Sequence, residues 1–480
     1  VVDLPKHRKP IPLKWVFKVK DDGTYKARLV AKGFRQKEGR DYLDVYASTA
    51  KAASFKIFCA ISAQFGWPMH HIDFVAAFLN AELTEEIYIH LPEGFREKHP
   101  GQCGLLQKTL YGLKQSPREW YKVVYDALIA LGFIRFDSDH SVFGLFNMNR
   151  RIYLLVHVDD VLCLSPKEED IAWLKQQISK TFDITDNGVA KRFLGIDIIR
   201  HDGKVYLSQE AYIDKILRKF GLEDVNPVSS PFNEKEVLKP NEKTASPEEV
   251  TQYRKRIGSL IWLMVNTRPE VPFPVAKLAR HGHNPSGKHF TAAKRVYRYF
   301  KGTKKMAIAY SYSPDALFGF VDADWAGKHA EDSLSTSGFV FKLANGPISW
   351  ISKKQTCVSL SSTESEYVAA SLAVQEVVWL HLFVKEMGLG HELLSLPTAI
   401  YEDNAGAICL TESQDTHQRT KHIDVKYHHI RSEVAKGVCK FVKIHTDEQA
   451  ADGLTKPLGP IKFERFTKLL GLRKLPEPPS

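Results

Sequence analysis

Cysteine is sparse and scattered in this chain. The six are Cys59, Cys103, Cys163, Cys357, Cys409 and Cys439. No two stand at C-x-x-C spacing, which argues against a disulfide framework or zinc knuckle and fits a reducing compartment. Long hydrophobic runs are also lacking. The best one, Ile257 to Val265, is interrupted by Gly258 and Ser259. It falls short of the ~18–20 apolar residues a membrane span needs, so no membrane partner is expected. There is no signal-peptide pattern, no internal repeat and no low-complexity tract. The first residues are Val-Val rather than Met, which reads as a fragment of a longer product. Acidic residues are missing altogether between Glu270 and Asp315, a stretch that holds Lys277, Arg280, Lys288, Lys294, Arg295, Arg298, Lys301, Lys304 and Lys305.

What is present is ordinary for a globular protein. Apolar residues make up 44% and charged residues 26% of the 480. That excludes a wholly disordered or collagen-like chain. At about 100–200 residues per domain the length allows roughly three domains. Lys and Arg number 67 against 56 Asp and Glu, a formal charge of +11. A polyanionic partner and a merely basic soluble enzyme both fit that figure. The acid-free stretch separates them. Within Phe290 to Phe300, Ala293, Val296, Tyr297 and Phe300 form an apolar face, while Lys294, Arg295, Arg298 and Lys301 lie on another side. A one-sided basic face with an apolar back suits a phosphate backbone.

Periodicity outlines the elements. Val16–Val19 and Tyr25–Val30 flank Asp21-Asp22-Gly23 and read as a β-hairpin. Helical spacing is expected over Ser54–Phe65, Pro117–Leu131, Glu168–Phe182, part of Val205–Phe220, and Ser362–Met387. Two apolar strands close on a polar corner between Ile152 and Leu164. The Pro-, Asn- and Lys-rich stretch from Asn226 to Ala245 reads as a linker. Helices resume near Pro247, and strands begin near Leu317 and continue through Gly338 to Trp350.

Two Asp-Asp pairs differ by context. Asp21-Asp22 sits in a turn, whereas Asp159-Asp160 is flanked by Leu154-Leu155-Val156 and Val161-Leu162-Cys163-Leu164. A carboxylate pair at the corner of a buried hairpin is expensive unless cations compensate it; a plain turn is the bland alternative. Asp73, in a short apolar strand, is the third candidate. Three such acids could hold two Mg²⁺ ions (or Mn²⁺) roughly 3.5–4 Å apart for in-line phosphoryl transfer. Four further acids sit in comparable settings. Asp322 ends an apolar strand, Glu364 lies in the first turn of a helix after Ser361-Ser362-Thr363, Asp403 follows the strand Ala399–Tyr401, and Asp452 lies in Gln449–Lys456. Strand-end and helix-start carboxylates can converge at one sheet edge; each taken alone is a surface residue or cap.

The chain resembles the reverse transcriptase of copia-type LTR retrotransposons. The runs that carry the resemblance are Tyr25–Gly33, Asp73–Leu79, Leu110-Tyr111-Gly112-Leu113-Lys114-Gln115-Ser116-Pro117, Val158-Asp159-Asp160 and Phe193–Ile196. It implies Asp73, Asp159 and Asp160 as the metal-binding triad of a polymerase palm. It implies Phe78 as the aromatic gate against a ribose 2′-hydroxyl, where an isolated reading of Phe78 would be a core aromatic. It also implies Gln115 and Gly112 as packing under nucleotide and template, Lys26 and Arg28 as triphosphate contacts, and Leu194-Gly195 as the primer grip. The chain departs from the family at His157, where Tyr usually precedes Val-Asp-Asp and lies against the primer end.

Downstream, Val321–Gly327, Ser361–Tyr367, Glu402–Asn404, Arg419–Asp424 and Gln449–Lys456 resemble the RNase H domain of the same elements. That implies Asp322, Glu364, Asp403 and Asp452 as metal ligands; Asp324 and Glu366 stand two residues away, and a slip of register would exchange them. His445 is a candidate assisting histidine. His422, His428 and His429, among Lys421, Lys426 and Arg431, read as a basic hybrid-contacting helix rather than a zinc site, since the spacing is not H-E-x-x-H.

The expected fold is α+β: a right-hand palm and fingers (1–199), a helical thumb and connection (200–308), an RNase H-like α/β domain (309–458) and a C-terminal tail (459–480). The expected function is RNA-directed DNA synthesis with removal of the hybrid's RNA strand. Its partners would be an RNA template, a DNA primer, RNA–DNA hybrid and dNTPs. The element's integrase and protease would lie elsewhere, and oligomeric state is left open. A cytoplasmic virus-like particle or the nucleus is the implied location. The rival readings are a defective remnant that only binds nucleic acid and an RNase H with a dead palm.

Overall fold

The computed structural model describes residues 1–19, 23–234, 236–325, 334–412 and 424–477. The chain divides into two compact units. The first takes Val1–Lys51 and Pro68–Ala190; the second takes Ala52–Trp67 and Lys191–Ser480. Helix α1 (Ala52–Phe65) therefore belongs to the second unit despite its early place in the chain.

In the first unit, β1 (Leu13–Val19) and β2 (Tyr25–Ala31) form an antiparallel ribbon with Val19 opposite Tyr25. Asp21 and Asp22 lie outside the described residues. Gly23 beyond them has φ +82°, the left-handed conformation glycine tolerates. A six-stranded antiparallel sheet follows. Its strands are β3 (Met69–Phe74), β4 (Ile134–Arg135), β5 (Val142–Phe146), β6 (Arg151–His157), β7 (Asp160–Leu164) and β8 (Ile184–Val189). They lie in the order β8-β3-β7-β6-β5-β4, so β3 and β7 are neighbours. Helix α2 (Ser116–Ala130) begins Ser-Pro, a proline whose missing N–H costs nothing in the first turn. It buries Trp120, Val124 and Leu128, four residues apart, in the core with Ile72, Phe74, Leu154 and Cys163. Helix α3 (Glu168–Ile178) adds Ile171, Leu174 and Ile178 to that core.

The second unit holds two five-stranded sheets. The first is antiparallel, of β9 (Arg192–Phe193), β10 (Ile196–His201), β11 (Lys204–Ser208), β12 (Met306–Tyr310) and β18 (Leu472–Lys474), in the order β9-β10-β11-β12-β18. The other is mixed, of β13 (Phe318–Asp324), β14 (Thr336–Leu343), β15 (Gly346–Lys354), β16 (Thr398–Glu402) and β17 (Cys439–Lys443). Its order is β15-β14-β13-β16-β17, with β13, β16 and β17 parallel. The helices are α4 (Glu210–Lys219), α5 (Pro247–Asn266), α6 (Pro272–Ala279), α7 (Gly287–Gly302), α8 (Ser362–Glu386), α9 (Ala405–Glu412), α10 (Asp424–Ala435) and α11 (Pro460–Leu469). A capping box between Ser246 and Glu249 starts α5.

Three features differ from the sequence expectations. No core boundary falls near residue 308: Leu260, Val275, Tyr297 and Phe300 share one cluster with Phe320, Val340, Leu454 and Phe466. The segment 459–480 is not a tail. It supplies α11, whose Phe463 and Phe466 are core residues, and β18, which pairs with β12. Helix α8 is also long and apolar enough to cross a membrane by composition, yet 67% of its apolar window is buried inside the unit. It is apolar on several sides because it is a core helix. All six cysteines are free, and Cys59, Cys103, Cys163 and Cys439 are buried.

Candidate active sites of the two units

In the first unit the antiparallel register sets Asp73 of β3 directly opposite Asp160 of β7. Asp159 occupies the turn between β6 and β7. That turn is strained, because the β-branched Val158 has φ +60°. Two bonds hold it: the Trp120 indole N–H donates to the Val158 carbonyl at 2.7 Å, and the Phe74 N–H donates to the Asp159 carbonyl at 2.8 Å. Asp73 is half-buried, and its pKa is raised by desolvation first and then by Asp159 and Asp160, against the pull of His71 and Lys26. His71 Nε2 lies 2.8 Å from Asp160 Oδ1.

Basic and aromatic groups surround these acids. The Arg28 guanidinium stands 5.4 Å over the Tyr111 ring, and Phe78 meets that ring edge-on at 5.1 Å. Burial raises the Tyr111 hydroxyl's pKa, and the charges of Asp159 and Asp73 raise it further, so its ring lies within their field. Lys26 acts on Asp73 in the opposite sense.

Gly112 and Gln115 hold scaffold positions. Gly112 has φ +89°, and a Cβ there would strike the Ala31 carbonyl oxygen. Gln115 is fully buried. Its Nε2 donates to the Asp41 carbonyl at 2.9 Å, and its Oε1 accepts from Gln36 Nε2 at 2.9 Å. Any action of these two on a substrate is therefore through the loop they pin. His157 faces Asp160 across the β6–β7 hairpin, and its Nδ1 is buried with no hydrogen-bond partner among the described residues. Sequence reasoning missed His71 and Tyr111. The signal for His71 was its place two residues before Asp73, on the same face of the strand.

In the second unit, Asp322 of β13, Glu366 of α8 and Asp403 just after β16 bring carboxylate oxygens within 4.8 Å of one another. The parallel pairing of β13 with β16 puts Asp322 and Asp403 at the same sheet edge. Among the described residues no second trio is gathered so tightly, the acids of the first unit included. Burial pushes Asp322 up to about 7; Lys456 and the Thr455 hydroxyl oppose this, while Asp452 and Asp403 add to it. Glu366 is raised well above the usual carboxylate range by burial, then by Asp322, Glu402 and Asp403. Glu402 is raised in the same way, burial first.

Glu364, expected as a ligand, is a cap instead. Its N–H donates to Ser361 Oγ at 3.1 Å, and its Oε2 accepts the Leu360 N–H at 2.6 Å. Two residues along a helix is a turn of roughly 200°, so Glu366 and not Glu364 reaches the sheet edge. Asp452 opens a short 3₁₀ turn and is ion-paired with Lys456 Nζ. Burial lowers the Lys456 pKa, but Asp322 and Asp452 outweigh it and the net shift is upward, with Asp324 adding. Asp452 and Asp324 are thus neighbours of the trio through Lys456. The Thr455 hydroxyl donates to Asp322 Oδ2.

On α7, Lys294 is exposed, whereas Arg295 Nη2 donates to Ser230 Oγ at 3.1 Å and Arg298 Nε to the Asn226 carbonyl at 2.7 Å. Those two arginines fasten the 226–230 segment, and Lys301 is half-buried. Residues 419–423, His422 among them, lie outside the described residues, as do Ala326 and Gly327. His445 is exposed, and its Nδ1 accepts the Asp447 N–H at 3.2 Å.

The reverse transcriptase (RNA-dependent DNA polymerase) family profile matches residues 1–234. The chain is 38% identical over 488 residues to the retrovirus-related Pol polyprotein from transposon TNT 1-94 of Nicotiana tabacum, covering 98% of this chain and 36% of that one. It is 37% identical over 470 residues to the corresponding polyprotein from transposon RE2 of Arabidopsis thaliana, covering 96% and 32%. A transposon Ty5-1 protein of Saccharomyces cerevisiae is 33% identical over 312 residues, which are 64% of this chain and 100% of that protein. The chain spans about a third of the length of the two plant relatives. Among solved structures, the foamy viral protease-reverse transcriptase in complex with RNA/DNA hybrid superimposes with a TM-score of 0.50 at 13% identity, over 91% of this chain and 50% of that one. At that identity the likeness is one of fold.

Proposed function

The chain belongs to the Pol polyproteins of copia-type LTR retrotransposons that carry a reverse transcriptase, and from that premise we propose that it synthesises DNA on an RNA template and cleaves the RNA strand of the hybrid. The observation that carries the reading is the register that sets Asp73 opposite Asp160 with Asp159 in the adjoining turn. These donors are all hard oxygens, and the pKa of Asp73 is raised partly by the other two acids, the situation in which divalent cations bind. Asp73, Asp159 and Asp160 would hold two Mg²⁺ or Mn²⁺ ions, which when bound would activate a primer 3′-hydroxyl and neutralise the leaving pyrophosphate. Around them, Lys26 and Arg28 take the triphosphate, Phe78 excludes a ribose 2′-hydroxyl, and His157 lies by the primer end.

In the second unit Asp322, Glu366 and Asp403 are the proposed ligands of the ribonuclease H site. Asp452 sits at its rim. The phosphates of the hybrid are held by α7 through Lys294 and Lys301. The first unit corresponds to fingers and palm, and residues 309–458 to the RNase H-like part of the second.

Extension of a DNA primer on a homopolymer RNA template with Mg²⁺ tests the reading, with Asp159→Asn as the control. Extension lost in that variant is expected. A second reading, a nuclease with a silent palm, is favoured by the tight trio of the second unit and by the buried Nδ1 of His157, which has no hydrogen-bond partner among the described residues. Hybrid cleavage without any extension would decide for it.

A further inference from the structure

The first unit contains a hydrogen-bonded chain that ends on one of the proposed metal-binding acids and starts on a neutral amide. Strand β3 presents His71 and Asp73 on the same face, and β7 beside it presents Asp160 opposite Asp73 and Leu162 opposite His71. The His71 side chain is only 17% exposed and Asp160 30%. His71 Nε2 is 2.8 Å from Asp160 Oδ1. On the other side of the ring, Asn187 Nδ2 on β8 is 3.4 Å from His71 Nδ1. An ionised carboxylate can only accept, so Nε2 carries the ring proton aimed at Asp160, and the Asn187 amide lies beside Nδ1.

We propose that His71 is a positioning residue for Asp160: its Nε2–H occupies Oδ1, fixes the carboxylate's rotamer and leaves Oδ2 turned toward the cation site shared with Asp73. Three features support the role. Asp160 is the first residue of its strand, and its half-exposed side chain has a rotamer that burial alone does not set. The bond spans two strands whose register is already fixed by the sheet, so holding it adds little ordering cost. A group that orients a ligand by hydrogen-bonding one of its oxygens raises the affinity of the whole site. The inference rests on the polymerase reading given above.

The test is Mn²⁺ titration of the full chain followed by electron paramagnetic resonance of the free ion. An Asp322→Asn background removes the trio of the second unit from the measurement. His71→Leu should weaken Mn²⁺ binding by about 10-fold, the size usual for loss of a ligand's hydrogen-bonding support. His71→Gln places an amide N–H near the position of Nε2 and should restore most of it. Thermal melting of both variants checks that the fold survives. Unchanged Mn²⁺ affinity in His71→Leu would overturn the proposal. So would a Gln variant as weak as the Leu variant, since that would assign the effect to packing. Primer extension on the same samples separates this from the polymerase reading. If Mn²⁺ affinity follows His71 as described but the parent chain extends no primer, the positioning role stands and the polymerase reading falls. If extension is robust and Mn²⁺ affinity ignores His71, the reverse holds.

Discussion

Glu364 and Glu366 lie two residues apart in one helix and do different work. Glu364 closes the N-terminus of α8 by accepting the Leu360 N–H, while Glu366 is buried beside Asp322 and Asp403. Glu366→Ala should therefore abolish hybrid cleavage with little effect on primer extension. Glu364→Ala should cost about 1 kcal/mol of stability through the lost cap and leave cleavage measurable. Cleavage assays on the two variants side by side decide between them. Phe78→Ala tests the gate: discrimination against ribonucleotides should fall by about 10-fold or more, read from relative incorporation of rNTP and dNTP. An unchanged ratio would return Phe78 to the packing role its contact with Tyr111 also permits.

Asp322 makes a prediction in pH. Its folded pKa is about 7 against an ordinary 3.8. The folded state therefore holds a proton that the unfolded state has released between those values. Stability from this group is complete below the lower value and is lost as pH rises through the upper one. In chelator the melting temperature should fall from pH 5 to pH 7.5, and Asp322→Asn should flatten that slope in part. Glu366 and Glu402, also raised, account for the remainder. A slope as steep in Asp322→Asn as in the parent would assign it to other groups.

At the scale of elements, the loop before α2 shows how backbone geometry positions a site. Gly112 needs positive φ and close approach to β2 at once. Gly112→Ala should lose roughly 1–3 kcal/mol from backbone strain alone, with the clash at Ala31 adding to it. Urea denaturation measures that loss, and primer extension should weaken in parallel because the same loop carries Tyr111. Most helices were legible from periodicity: α1, α2, α3 and α5 begin within two residues of where spacing and caps place them. The β1–β2 ribbon was legible from the Asp21-Asp22-Gly23 turn between two strand-like runs. Helix α8 was legible as a helix but not in its apolar length, because interior packing and not an isolated run sets its composition.

At the scale of the molecule, helices α4 to α7 and the mixed sheet share one hydrophobic cluster in the second unit. A fragment of residues 309–458 keeps the trio of acids but loses α5 to α7, α11 and β18. It uncovers Phe320, Val340 and Leu454. Such a fragment should melt without a cooperative transition and bind a hydrophobic dye, both measurable by circular dichroism and fluorescence. A sharp transition would show that the expected boundary of the RNase H-like part is a real folding boundary after all.

Short motifs in their order, through the family they resemble, determined the family and the α+β class, and named Asp73, Asp159, Asp160, Asp322, Asp403 and Asp452 as candidate carboxylates. Those are local or one-dimensional properties: residue type, spacing and the chemistry of short runs. Only the tertiary structure decided which glutamate of α8 faces the sheet edge, that His71 and Tyr111 stand among the acids of β3 and β7, and that α11 and β18 complete a core. Each of these depends on which side of an element turns inward, and long-range packing sets that rotation.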